Sequence, residues 1–173
     1  MLKNNLNEYV RTVNDFPKKG IAFKDISPLL ANGEALNLTV NLIAKEVEGV
    51  DAIVGPDARG FLFGTPVASL LKKPFIMVRK PNKLPGEVVS IDYSLEYGTN
   101  KLEIQKGMIK PNQKVAIIDD VLATGGTTCA IIDLLREQGA IVKKVVLVIE
   151  LDDLKGRKKI EEKGVEVVSL LHY

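Results

Sequence analysis

The stretch Val115-Ala116-Ile117-Ile118-Asp119-Asp120-Val121-Leu122-Ala123-Thr124-Gly125-Gly126-Thr127-Thr128 narrows the folds open to this chain more than any other. The apolar run from Val115 to Ile118 reads as a buried strand, two adjacent carboxylates stand at its C-terminal end, and a Gly-Gly pair flanked by threonines leads into a helical pattern. In an open α/β sheet, ligands bind in the crevice outside the carboxyl ends of the strands. Gly125 and Gly126 accept positive φ and leave room for a ligand against the main chain, so several N–H groups can converge there. Hydroxyls of Thr124, Thr127 and Thr128 and the positive end of the following helix dipole suit a phosphate. Asp119 and Asp120 repel a phosphate but accept hydrogen bonds from vicinal hydroxyls. Together these groups describe a pocket for a ribose 5-phosphate. The glycines alone are also compatible with a plain tight turn between strand and helix. The stretch has neither the lysine of G-x-x-x-x-G-K-[ST] nor the spacing of G-x-G-x-x-G, which argues against nucleoside triphosphates and dinucleotides.

A chain of 173 residues is expected to form one domain, spanning 1–173, with a core that needs no disulfides. Its single cysteine, Cys129, falls early in the helix after the glycines and reads as a small packed residue. A net charge of +2 gives no support to nucleic-acid binding. No transmembrane run, secretory h-region or lipidation motif is visible, so a cytoplasmic protein with no membrane partner is expected.

In chain order, Leu2, Leu6, Val10 and Val13 stand at helical spacing and predict a short amphipathic helix, stopped by the stretch from Asp15 to Gly20. Phe23 follows in a short mixed segment and could simply plug the core. Ser27-Pro28 reads as a helix cap followed by proline at the first helical position, opening a longer helix with Leu36, Val40, Ile43 and Val47 on one face. Val50 to Val54 is a strand that runs into the loop Gly55 to Gly60, then a helix from about Phe61 to Leu71. Arg59 in that loop is either solvated or an anion ligand beside Asp119, since parallel strands bring their C-terminal ends to one edge. Phe75 to Val78 is a further strand. The segment from Arg79 to Gly86 is an exposed cationic loop, and the alternating pattern from Val88 to Gln105 predicts a β-hairpin exposed on both faces, suited to a lid. After the glycine loop come a helix capped by Gly139, a strand from Lys143 to Leu151, a charged helix from Lys155 to Lys163 and a last strand from Val165 to Leu170. The sole histidine, His172, reads as a surface residue.

The stretch from Asp119 to Thr128 resembles the phosphoribosyl-pyrophosphate (PRPP) motif of the type I phosphoribosyltransferases, and blocks along nearly the whole chain carry the likeness toward the branch acting on adenine. That resemblance implies an α/β fold: a parallel-sheet core with an N-terminal hood over residues 1–30 and a flexible β-hairpin catalytic loop at about 79–105. The block from Phe16 to Pro28 is similar to the family's hood, where the backbone of Ala22 and Lys24 would read the base edge and Phe23 would stack on it. The family often has proline at Lys19 and arginine at Lys24; main-chain recognition survives both changes. The block from Gly55 to Gly64 resembles the pyrophosphate loop, which implies anion contacts by Asp57, Ala58 and Arg59, and the Asp57–Ala58 peptide is a candidate for the rare non-proline cis form. Arg79 to Gly86, with Tyr93-Ser94-Leu95-Glu96-Tyr97-Gly98, resembles the catalytic loop and adds Lys80 and Lys83 as pyrophosphate ligands. Glu96 lies in its Leu-Glu-Tyr-Gly core and is the expected proton-trading group, with Arg59 as the second catalytic residue. Asn82 stands where glycine is usual, and asparagine tolerates the left-handed backbone well.

On this likeness Ala123, Thr124, Gly125, Gly126 and Thr127 hold the 5-phosphate and Asp119 and Asp120 the ribose. The implied reaction is adenine + PRPP → AMP + pyrophosphate, in purine salvage, with Mg²⁺ carried by substrate and water rather than by protein ligands. A homodimer is also implied. A PRPP-sensing regulator and a transferase for 6-oxopurines or orotate share the phosphate motif. The first would need a DNA-binding segment for which no spare length is expected, and the second lacks the hood and Leu-Glu-Tyr-Gly likeness.

Overall fold

Strand β7 (Lys114–Leu122) is the middle of a five-stranded sheet in the computed structural model, which describes residues 6–95 and 98–173. Its residues Val115 to Ile118 are fully buried, as a strand covered on both faces must be. The sheet also contains β3 (Ala52–Pro56), β4 (Phe75–Val78), β8 (Ile141–Glu150) and β9 (Glu166–His172), in the order β4-β3-β7-β8-β9 with every pairing parallel. The chain leaves β3 for β4 on one side, then returns to lay β7 on the other side of β3. That reversal makes the edge between β3 and β7 the switch point of the sheet, where the loops diverge and leave a crevice. Right-handed crossovers running in opposite directions place α3 (Gly60–Leu71) on one face, with α4 (Gly126–Glu137) and α5 (Gly156–Glu161) on the other.

Contacts divide the chain into two compact units, residues 1–42 and 43–173, and α2 (Gly33–Glu46) carries the chain from the first to the second. Within the first unit, β1 (Arg11–Asn14) pairs antiparallel with β2 (Ala22–Asp25), followed by the single turn α1 (Ser27–Leu30). The helix expected over Leu2 to Val13 is therefore corrected: Leu6–Tyr9 is a 3₁₀ turn, Val10 follows it, Val13 lies in β1, and Leu2 falls outside the described residues. Its apolar spacing is too short to decide between periods. The reversal is made by Asp15 at φ 57°, a cis Phe16–Pro17 bond and Gly20 at φ 87°, with Gly20 N–H donating to Asp15 Oδ1 at 2.7 Å. Ser27 is also corrected, since it is the first helical residue and Ile26 occupies the cap position. The long helix begins only at Gly33, where Asn32 Oδ1 accepts from the N–H groups of Glu34 and Ala35 at 3.1 and 2.9 Å.

The second unit holds the main core, built from the inner strands and from Ile131, Ile132, Leu134 and Leu135 of α4. The hairpin of β5 (Val88–Leu95) and β6 (Gly98–Gln105) joins that core through Leu102 and Ile104, with Val89, Ile91 and Tyr93 packed beside them. A hairpin exposed on both faces is thus overturned. Ser90, Asp92 and Ser94 do point outward, so the period-2 pattern was one of a single buried face. Asn82 is left-handed at φ 64°, as its resemblance to a glycine position implies.

Candidate active site

The loops after β3 and β7 enclose a cavity of about 420 Å³ at the switch point, lined by Asp57, Ala58 and Arg59 from one and by 119–128 from the other. They meet this closely because α3 begins with a glycine. A Cβ on Gly60 would stand 2.7 Å from the Pro56 ring, 3.0 Å from the Ile118 carbonyl oxygen and 3.1 Å from Asp119 Oδ1. The Asp57–Ala58 peptide is cis.

Both carboxylates at the end of β7 lie in this cavity. Arg59 Nε stands 2.8 Å from Asp120 Oδ2, and Asp120 N–H donates to Asp119 Oδ1 at 2.8 Å. Burial, with the neighbouring charge of Asp120 next in importance, pushes Asp119 well above the usual carboxylate range. Burial also raises Asp120, against the opposing pull of Arg59. Two largely desolvated carboxylates favour any ligand that brings hydroxyl donors or positive charge to them.

The side of the cavity formed by the start of α4 presents backbone. Gly125 is left-handed at φ 78°, and no side chain caps the start of α4, so the N–H groups of its first turn are available to an anion. The loop is backed from below by α5. A Cβ on Gly156 would meet the Ala123 carbonyl oxygen at 2.3 Å and Gly125 N at 3.0 Å, so main chain packs on main chain there. Glu150 and Arg157 fix that backing: Arg157 donates from Nε to Glu150 Oε1 at 3.0 Å and from Nη1 to the Val167 carbonyl at 2.7 Å. Burial pushes Glu150 up, but bonds from Arg157 and Ser169 outweigh it and hold the carboxyl below its usual range. The helix expected at Lys155 to Lys163 is therefore more than a solvated face, since Ile160 is fully buried as well.

The structure brings Asp57, Ala58, Arg59, Asp119, Asp120 and the loop from Ala123 to Thr127 around one cavity. Lys80 and Lys83 stand exposed on the loop leaving β4 and do not line it. Ala22, Phe23 and Lys24 belong to β2 of the first unit, where Phe23 makes an edge-to-face contact with Phe16 at 5.2 Å and Lys24 Nζ donates to Thr12 Oγ1 at 2.9 Å. Glu96 lies outside the described residues. Three further contributors were given no site role from the sequence, although Arg79 and Tyr93 stood in the blocks that resemble the catalytic loop. Arg79 Nε bonds Asp57 Oδ2 at 2.9 Å, tying the β4 loop to the β3 loop, and its position directly after a strand was the available signal. Gly156 carried no local signal, whereas Tyr93, whose hydroxyl lies 3.3 Å from Thr127 Oγ1, stood at the head of the block that resembles the catalytic loop.

Residues 26–171 match the phosphoribosyl transferase domain. An adenine phosphoribosyltransferase of Mycoplasmopsis agalactiae is 65% identical over 97% of this chain and 99% of its own. The crystal structure of an adenine phosphoribosyltransferase from Thermoanaerobacter pseudethanolicus superposes with a TM-score of 0.92 at 46% identity, covering 98% of this chain and 100% of that one. The Saccharomyces cerevisiae enzyme, complexed with an imino-altritol bisphosphate and adenine, superposes with a TM-score of 0.90 at 37% identity over 96% of each chain.

Proposed function

Because the chain belongs to the phosphoribosyl transferase family, and within it to the adenine phosphoribosyltransferases, we propose that the cavity between the β3 and β7 loops is its PRPP site. The enzyme transfers the 5-phosphoribosyl group of PRPP to adenine, giving AMP and pyrophosphate in purine salvage. The observation carrying the site assignment is that one cavity joins an uncapped helix start to two adjacent carboxylates, Asp120 buried and Asp119 half-buried.

The 5-phosphate is held by Ala123, Thr124, Gly125, Gly126 and Thr127, and the ribose hydroxyls donate to Asp119 and Asp120. Displacement at an anomeric carbon passes through an oxocarbenium-like state, so the barrier falls chiefly by stabilising the departing pyrophosphate. Asp57, Ala58 and Arg59 take that role from the β3 loop, joined by Lys80 and Lys83 as the β4 loop closes over the ligand. Adenine is received by Phe23 and the main chain of Ala22 and Lys24. Glu96 exchanges a proton at the N7 side of the base as the bond to N9 forms.

The donor set suits magnesium carried by the substrate. Among the described residues the group of three ligands within reach of one ion is Glu150, Asp152 and His172, none of which lines the cavity, while Asp119 and Asp120 offer carboxylates beside the ribose position. Carried in by the substrate, with Asp119 and Asp120 the nearest protein carboxylates, Mg²⁺ would supply charge neutralisation to the leaving group. A homodimer through α3 is supported by Leu62, Pro66 and Leu70, which repeat every fourth residue and leave Leu62 44% and Leu70 51% exposed. A cytoplasmic location agrees with the free thiol of Cys129; cell fractionation tests it. A spectrophotometric comparison of adenine, hypoxanthine, guanine and orotate with PRPP and Mg²⁺ tests the function. Turnover of adenine alone is expected, and turnover of orotate or a 6-oxopurine in its place would overturn the base assignment.

A further inference from the structure

Strand β5 packs against α4, and its Tyr93 reaches the start of that helix. Tyr93 packs its ring against the core beside Val89 and Ile91, and its hydroxyl lies 3.3 Å from Oγ1 of Thr127 in the first turn of α4. Thr127 lines the cavity. Each hydroxyl has one proton and two lone pairs, so the pair has two polarities. Were Thr127 to donate to Tyr93, an anion in the cavity would face lone pairs on Thr127 Oγ1. With Tyr93 donating, the Thr127 proton is left to point at the anion, and a phosphate dianion selects that polarity. At 3.3 Å the contact is long for O–H···O; an anion that polarises Thr127 strengthens it, as bonds in a chain reinforce one another.

We propose that Tyr93 is a positioning residue for the 5-phosphate: its phenol donates to Thr127 Oγ1 and thereby aims the Thr127 proton into the cavity. The inference rests on the PRPP reading of that cavity. It also gives the strand leading to Glu96 a direct tie to the phosphate, so occupancy of the cradle and placement of β5 favour one another.

Tyr93→Phe keeps the ring and its packing and removes only the hydroxyl. Binding of AMP and of adenosine to the full chain is measured by calorimetry, with melting temperature and circular dichroism as controls. The variant is expected to bind AMP about 3–10-fold more weakly, the usual scale for one neutral hydrogen bond, with adenosine affinity unchanged. KM for PRPP should rise by a similar factor, with a smaller change in kcat. In a Thr127→Val background, Tyr93→Phe should cost nothing further, because the two act as one unit. Unchanged AMP affinity, an equal loss for adenosine, or fully additive losses would each overturn the proposal. Wild-type enzyme that binds adenosine as tightly as AMP would instead sink the phosphoribosyl reading, and the role of Tyr93 with it.

Discussion

Gly156 tests whether the backing of the phosphate loop matters to ligand binding. In Gly156→Ala the new Cβ would lie 2.3 Å from the Ala123 carbonyl oxygen and 2.9 Å from a methyl of Leu122, closer than real Cβ contacts come, so one side must move by about 1 Å. Overpacking of this kind costs roughly 1–3 kcal/mol. Which side yields decides where the cost is seen. Helix α5 is stiffly held, by the Arg157 bonds to Glu150 and Val167 and by fully buried Ile160. The loop has exposed Thr124 and left-handed Gly125, and is the softer partner. The loop should therefore be displaced and its N–H groups turned away from the phosphate. At about 1.4 kcal/mol per decade, the cost converts to roughly a 5–150-fold loss of AMP affinity. Calorimetry with AMP and adenosine, beside thermal melts, reads both sides. Were stability to absorb the whole cost, the melting temperature would drop by roughly 2–12 °C for a chain of this size. A Gly156→Ala protein that binds AMP as wild type does would refute the reasoning, whatever its melting temperature.

Asp119→Asn should stabilise the ligand-free protein at neutral pH while weakening PRPP binding. The folded pKa values of Asp119 and Asp120 are raised above the unfolded value of about 3.9, so the folded state retains protons that the unfolded chain has released, and wild-type stability falls as pH climbs from about 4 through the folded values. Melts from pH 4 to 8 should show the variant's advantage growing with pH, and a flat difference would count against it. Glu150→Ala leaves the half-buried Arg157 with only the exposed carboxylate of Glu161, 3.5 Å away, and should cost about 1–3 kcal/mol by chemical denaturation; a loss under about 1 kcal/mol would mean that Glu161 and the Val167 carbonyl satisfy Arg157 without it. Leu62→Glu with Leu70→Glu should convert a sedimenting dimer to monomer at micromolar protein with an intact circular dichroism spectrum, and a dimer that persists places the interface elsewhere. Glu96→Gln should slow turnover by ~10²–10⁴-fold with little change in PRPP affinity, and a rate within a few-fold of wild type would assign the proton to another group.

Local rules were enough for much of the chain. Val115 to Ile118 is apolar without interruption, as a strand buried on both faces requires. Gly125 and Asn82 are left-handed because backbone sterics leave few other residues able to be. The loop that starts α4 could be read for the same reason, since a strand end, two glycines and a helix start follow one another in sequence. Tertiary structure alone decided which loops would meet. Asp57 and Arg59 stand beside Asp120 because β7 pairs with β3 after the chain reverses direction in the sheet, and no local pattern records a strand order. Tyr93 reaches Thr127 across 34 positions, and Gly156 is needed only because another backbone passes over it. The hairpin shows the same division: its period of two was visible in the sequence, but whether its apolar side met water or α4 depended on packing between segments far apart in the chain.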